Sequence, residues 1–281
     1  MGVNTAVRAV QGFVRDKKRL KRITNALNEV IARGEQSGLV PAVRGFDLGW
    51  REHYPELGIL EEQHHLIQAE CERLLQARDQ LPDVESLGGS YTKGGIHSAR
   101  WKSFMFKSGK FIPENCRWAP HSAELLRSIP NLYTAFFSIL EPHQYITPHW
   151  GYWKGFVRFH LGVIIPNDNR DQSCWLRINS DTADNAKHDT SLVTRGEKYY
   201  WKNGEGMLFD DTYLHDAMNE SDQTRVVLWL DLARRMPAAL HALNSGFLKV
   251  AHTVPSITRI RKQALVKLDR LPDPPTRPAS R

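Results

Sequence analysis

Apolar side chains recur at helical spacing over residues 3–35. Val3, Val7, Val10, Val14, then Ile23, Leu27 and Val30 share one face, with basic residues on the others. The spacing predicts one helix or two. A second helix is predicted over 60–81, with Leu60, Leu66, Ile67, Leu74 and Leu75 as its apolar positions. Between 82 and 130 the pattern breaks into short pieces with turn residues: LGGSYTKGG, WKSFMFKSGK and a proline-flanked APHSAELLRSIP that reads as a short helix. From about 132 to 235 the period changes. YTAFFSIL, FVRFHLGVII, CWLRI, EKYYW, GMLFD and TRVVLWLDL are aromatic and β-branched, separated by Gly, Asn, Asp and Pro turns. Such a series predicts a sandwich or barrel. RRMPAALHALNSGFLKVA returns to helix, and RLPDPPTRPASR predicts a disordered tail. The expected organisation is a helical N-terminal segment (1–130) packed on a mainly β core (131–240), followed by a C-terminal helix and a basic, proline-rich tail (241–281).

Composition narrows the class. A chain of 281 residues can bury a large core. It has no uninterrupted apolar run of about 18 residues, which argues against a membrane span, and arginine within the N-terminal valine pattern makes a poor secretory signal. The three cysteines, Cys71, Cys116 and Cys174, are far apart, suit a reducing compartment and lack zinc spacing. Charge is uneven. Residues 1–22 hold seven Lys/Arg against one Asp, and residues 259–281 hold seven against two acids, leaving the middle mildly acidic. Basic ends are most often solvated helix faces and loose tails, but they also suit peripheral contact with an anionic membrane. No RNA-binding or zinc-finger signature supports nucleic acid as a partner. A cytoplasmic, optionally membrane-peripheral protein is expected.

The candidate histidines in the β region are His143, His149, His160, His188 and His215, and the sharpest pair is His149 with His215. Neutral imidazoles are common ligands of redox-active iron, and non-haem iron oxygenases usually add a carboxylate near the first histidine. That place, two residues on, is Gly151. From spacing alone, a metal pair competes with histidines satisfied by ordinary hydrogen bonds. Arg158 and His160, two apart on a strand, point to one face, with Val157, Phe159 and Leu161 on the other. Arg225 shares a face with Val227 and Trp229. A guanidinium inside a barrel needs an anion, and a carboxylate can meet it with two parallel hydrogen bonds. The competing reading turns both arginines to solvent or pairs them with Glu141, Asp210 or Asp211. Trp150, Tyr152 and Trp153 either line a substrate entrance or pack. His143 and His188 are expected in solvent, and Cys174 in the core.

PHWGYWKGFVRFHLGVIIP together with WKNGEGMLFDDTYLHDAMNESDQTRVVLWLDLARRMP resembles the aspartyl/asparaginyl β-hydroxylase family, iron(II)- and 2-oxoglutarate-dependent dioxygenases, over roughly 130–240. The resemblance implies a double-stranded β-helix (cupin-like jelly roll), with Fe(II) and 2-oxoglutarate as cofactors and molecular oxygen as co-reactant. It implies iron held by His149 and His215, with Gly151 where relatives keep aspartate. Arg225 matches the arginine that grips the distal carboxylate of 2-oxoglutarate, and Ser138 a serine that assists it. Arg158 and His160 match residues near the cosubstrate's other end. Asp211 is placed to hydrogen-bond a metal-bound water.

The implied reaction inserts one oxygen atom into an unactivated C–H, at the β-carbon of an Asp or Asn side chain in a peptide or protein, or of a related acid. Similar short bacterial proteins include lipid A acyl-chain hydroxylases, which keep an aspartate two residues after the first histidine. Gly151 leans toward the aspartyl branch, and the basic amphipathic N-terminus toward a lipid acyl chain at a membrane surface. Three rivals remain: a halogenase with halide beside the missing carboxylate, a non-catalytic cupin-like binding protein, and a peripheral membrane adaptor acting through its basic ends.

Overall fold

The computed structural model describes residues 17–87, 99–251 and 255–272. The first half of the predicted N-terminal helix, all but the first residue of LGGSYTKGG and the tail beyond 272 lie outside these residues. The described part of the first helix spans Lys17–Gln36. The helix expected over 60–81 is divided into Gly58–Glu62, His64–Leu75 and a single 3-10 turn at Arg78–Gln80.

Eleven strands occur among the described residues: β1 (Phe46–Asp47), β2 (Trp101–Ser108), β3 (Lys110–Phe111), β4 (Leu132–Leu140), β5 (Gln144–His149), β6 (Phe156–Ile164), β7 (Cys174–Asn179), β8 (Glu197–Tyr200), β9 (Gly206–Phe209), β10 (Leu214–Asn219) and β11 (Arg225–Ala233). They form a seven-stranded sheet in the order β1-β9-β6-β11-β4-β2-β3 and a four-stranded sheet in the order β5-β10-β7-β8, every pairing antiparallel. From β4 to β11 the chain passes back and forth between the two sheets. That alternation is the double-stranded β-helix, a jelly roll.

The segment expected to be helical through residue 130 also contributes β1, β2 and β3 to the large sheet. β2 escapes sequence reading because its pairing register with β4 shifts between Met105 and Lys107, which breaks the alternation a strand would show. β5 and β10 are likewise absent from the predicted strands. β5 carries Pro148, which is tolerated because β5 is an edge strand. β10 carries Asp216, wholly buried, whose carboxylate is met by Tyr145 Oη at 2.5 Å and by Arg177 Nε at 3.0 Å.

The large sheet is covered on both faces, which is why β4 and β11 read as nearly continuous apolar runs. One face packs Phe104, Phe137, Phe159 and Leu228 against Ile67, Cys71, Leu74 and Leu126 of the helices His64–Leu75 and Pro120–Ser128. The other packs Met105, Phe136, Phe209 and Val227 against Leu176 and Ile178 of the small sheet. As expected, Val157, Phe159 and Leu161 join the helix-covered core, while Arg158 and His160 face the space between the sheets.

Candidate active site

The histidine pair is created by the small sheet. Register sets His149 of β5 opposite His215 of β10, and residues directly opposite project to one face. Their ring centroids lie 4.2 Å apart, tilted by 52°. Each Nδ1 is 2.7 Å from the carbonyl oxygen two residues earlier, that of Thr147 and of Tyr213. A carbonyl can only accept, so Nδ1 carries the proton and Nε2 keeps its lone pair. Burial pushes the His149 pKa down to about 4, and holds His215 well below the ordinary value with the help of neighbouring His149. Both rings are neutral at physiological pH, as metal ligands must be. No group of three His, Cys, Asp or Glu side chains that could hold a metal occurs among the described residues. The site offers two imidazoles.

The space beside Gly151 is filled. Its N–H donates to the Asp211 carbonyl at 2.7 Å, and a Cβ built on Gly151 would lie no more than 2.5 Å from each atom of the Asp211 carboxyl group. Asp211 is held by Arg158 Nη2 at 2.8 Å. Burial nevertheless outweighs that ion pair and raises the Asp211 pKa to about 6. Arg158 Nε also donates to Asp231 at 2.8 Å, and its guanidinium lies 3.8 Å from the centre of the Trp229 ring. Arg158 therefore reaches the cavity already bracketed by two carboxylates. Its pairing with Asp211 is the arrangement that the competing sequence reading had kept open.

Arg225 differs. It is buried, and among the described residues no carboxylate pairs with it. Its Nη1 makes only a long contact of 3.5 Å to the Ser138 carbonyl, its Nε has no partner, and its guanidinium lies 4.6 Å from the Trp201 ring centre. Burial lowers its pKa to about 10. Ser138 Oγ accepts a 2.9 Å hydrogen bond from Trp101 Nε1, which leaves the hydroxyl proton available to an anion. His160 is buried among Trp201, Phe209 and Trp229 with neither ring nitrogen bonded, and burial followed by Arg158 and Arg225 keeps it neutral. His149, His215, Ser138, Arg158, His160 and Arg225 all line one cavity between the sheets. Asp211 stands beside it, joined through Arg158.

Other expectations resolve simply. His143 is exposed and pairs with Asp222, and His188 is exposed. Trp153 stacks on Phe247, ring centroids 4.1 Å apart, and is buried, while Tyr152 is exposed. Cys174 is buried and free, like the other two cysteines.

Sequence reading missed Trp101, Trp201 and Asn185. Asn185 Oδ1 accepts from Trp150 Nε1 at 2.9 Å and from the Leu214 N–H at 2.7 Å, so one amide ties the neighbours of both site histidines together. Asn185 lies on the short helix Thr182–Ala186, far in sequence from both partners, and no local pattern signals its role.

The chain matches the family profile described as Aspartyl/Asparaginyl beta-hydroxylase over residues 61–235. It is 28% identical over 205 residues to the ornithine lipid ester-linked acyl 2-hydroxylase of Rhizobium tropici, covering 73% of this chain and 66% of that protein. It is 32% identical over 203 residues to the aspartate beta-hydroxylase domain-containing protein 2 of Mus musculus, covering 69% of this chain and 51% of that one. The chain thus spans about two thirds and about half of these relatives. Among solved structures, a Pseudomonas putida prolyl-4-hydroxylase aligns at TM-score 0.36 and 15% identity, over 61% of this chain and 87% of that one. With the motifs around His149 and His215 lying inside the matched region, the chain belongs to the aspartyl/asparaginyl β-hydroxylase family.

Proposed function

We propose that the protein is an iron(II)- and 2-oxoglutarate-dependent hydroxylase. One observation carries this reading. A single buried cavity holds two neutral imidazoles whose Nε2 lone pairs are left open and a guanidinium that no carboxylate among the described residues pairs. An uncompensated buried charge is costly, so Arg225 calls for an anion that none of the described residues provides.

His149 and His215 would hold the metal. The Thr147 and Tyr213 carbonyls fix both rings in the Nδ1–H tautomer, directing Nε2 outward. Arg225 binds the far carboxylate of the cosubstrate, assisted by the Ser138 hydroxyl. His160, neutral and unbonded, offers one further N–H. Arg158 holds Asp211 against Gly151. Iron(II) with 2-oxoglutarate and molecular oxygen supplies the oxidising power to hydroxylate an unactivated C–H, and the protein contributes orientation, charge and a shielded space. The substrate proposed first is the β-carbon of an Asp or Asn side chain or a related acid. The similarity to the Rhizobium tropici acyl 2-hydroxylase favours a second reading, a lipid acyl chain.

Equilibrium dialysis of iron(II), together with succinate formation from 2-oxoglutarate, tests the proposal in the wild type and in His149→Ala and His215→Ala. Both variants are expected to lose metal and turnover. Undiminished binding and turnover in either would remove that ligand. Metal and 2-oxoglutarate binding without oxygen-dependent succinate in the wild type would instead make the protein a binding module.

A further inference from the structure

The helix Ala238–Ala251 carries an unusual outer surface. Its exposed positions are Ala238, Ala239, Ala242, Leu243, Gly246 and Lys249. At about 100° per residue these fall within an arc of roughly 140°. None is charged before Lys249, and Leu243 is 51% exposed. One flank of the arc meets the helix Lys17–Gln36 in a groove lined by Leu27, Val30, Ile31, Trp153 and Leu240, with Val30 itself 43% exposed. The other flank opens on a cleft of about 570 Å³ against β2 and β3, where Lys107, Lys110, Lys249 and Arg261 converge with no acidic residue in the lining. Among the described residues none of these four cations forms an ion pair. Arg261 donates to the Ser108 carbonyl at 2.9 Å, and the Lys107 ammonium lies 4.6 Å from the Phe111 ring centre. Burial lowers the Lys107 pKa.

We propose that this face docks on an anionic lipid bilayer. The apolar arc would sit against the acyl boundary and the cationic cleft would take a phosphate headgroup. A protein partner would explain the apolar arc alone. The adjoining cleft of unneutralised cations adds the second half of an interfacial surface, apolar body beside positive charge. The face is also keyed to the active site. Asn244, on the inner side of the helix, accepts from Trp153 Nε1 at 3.0 Å and donates to the Gly155 carbonyl at 2.8 Å. The loop that leaves His149 is thus packed directly on the docking helix. Docking is independent of the hydroxylase chemistry, because it is read by binding alone.

The test is cosedimentation of the full chain with phosphatidylcholine vesicles and with vesicles that also contain phosphatidylglycerol, at low and high salt. The variants are Leu243→Glu and the pair Lys110→Glu/Lys249→Glu. All three positions are exposed, and circular dichroism melting checks that the variants fold. Binding is expected only to the anionic vesicles, weakened by salt and reduced in both variants. Each cation near such a surface is worth about fivefold in affinity, so the double variant should lose at least about 25-fold. Absence of binding to phosphatidylglycerol vesicles, or unchanged binding in both variants, overturns the proposal. Displacement by inorganic phosphate would reassign the cleft to a soluble phosphate. A dimer that Leu243→Glu dissociates, with no vesicle binding, would reassign the face to a second copy of this chain.

Discussion

Replacing Arg225 by Met should strengthen the ligand-free protein while abolishing its response to 2-oxoglutarate. Burial lowers the guanidinium pKa from its ordinary value to about 10. Both values lie above neutrality, so the group is charged in the folded and the unfolded chain at pH 7 and the cost of burying it is present in full. At about 1.4 kcal/mol per pKa unit that cost is about 3 kcal/mol. Met gives back part of the gain. It loses the contact with Trp201 at 4.6 Å, worth about 1–2 kcal/mol when desolvated, and the long contact to the Ser138 carbonyl, worth little at 3.5 Å. A net stabilisation of about 1 kcal/mol follows, in line with the general effect of replacing buried charges by apolar residues. With ligand the order should invert. At a hundredfold excess over Kd, 2-oxoglutarate stabilises the wild type by about 2.7 kcal/mol and Arg225→Met by almost nothing. Urea unfolding at pH 7, anaerobically with iron(II), with and without 2-oxoglutarate, reads all four states. A ligand-free Arg225→Met clearly less stable than the wild type, or equal stabilisation of both by 2-oxoglutarate, refutes the reasoning.

Gly151→Asp should weaken metal binding rather than complete a carboxylate triad, because its Cβ would collide with the Asp211 carboxyl group; iron(II) dialysis should show the loss, with partial recovery in Gly151→Asp/Asp211→Gly. Asp211 should withdraw stability from the metal-free protein as pH rises from about 4 to about 6, since its folded pKa, raised to about 6, lies above the unfolded value; His149, His160 and His215, whose pKa values burial lowers, contribute in the opposite direction. Chemical denaturation across that range should show stability rising more with pH in Asp211→Asn than in the wild type, and an identical slope would contradict the assigned burial cost. Asn185→Ala leaves the Trp150 and Leu214 N–H groups without their acceptor. It should cost about 1–3 kcal/mol and lower iron(II) affinity about tenfold, whereas unchanged affinity would limit Asn185 to stability.

The periodicity of apolar residues was enough to place β4, β6 and β11 and the helices at both ends, because those elements declare their buried faces within a few consecutive residues. It also put Arg158 and His160 on one face and Arg225 with Trp229, since strand alternation is a local rule. The motifs, taken together, carried the family. Tertiary structure alone decided the rest. β5 and β10 are strands by virtue of their partners, because their proline and buried aspartate oppose the local signal. Facing His149 with His215 is a matter of sheet register. Gly151 reads as a vacancy in one dimension and is filled in three, since Asp211 arrives from another strand end and is held there by Arg158. The isolation of Arg225 is likewise invisible in sequence: a charge lacks a partner only by comparison with everything the fold brings near it.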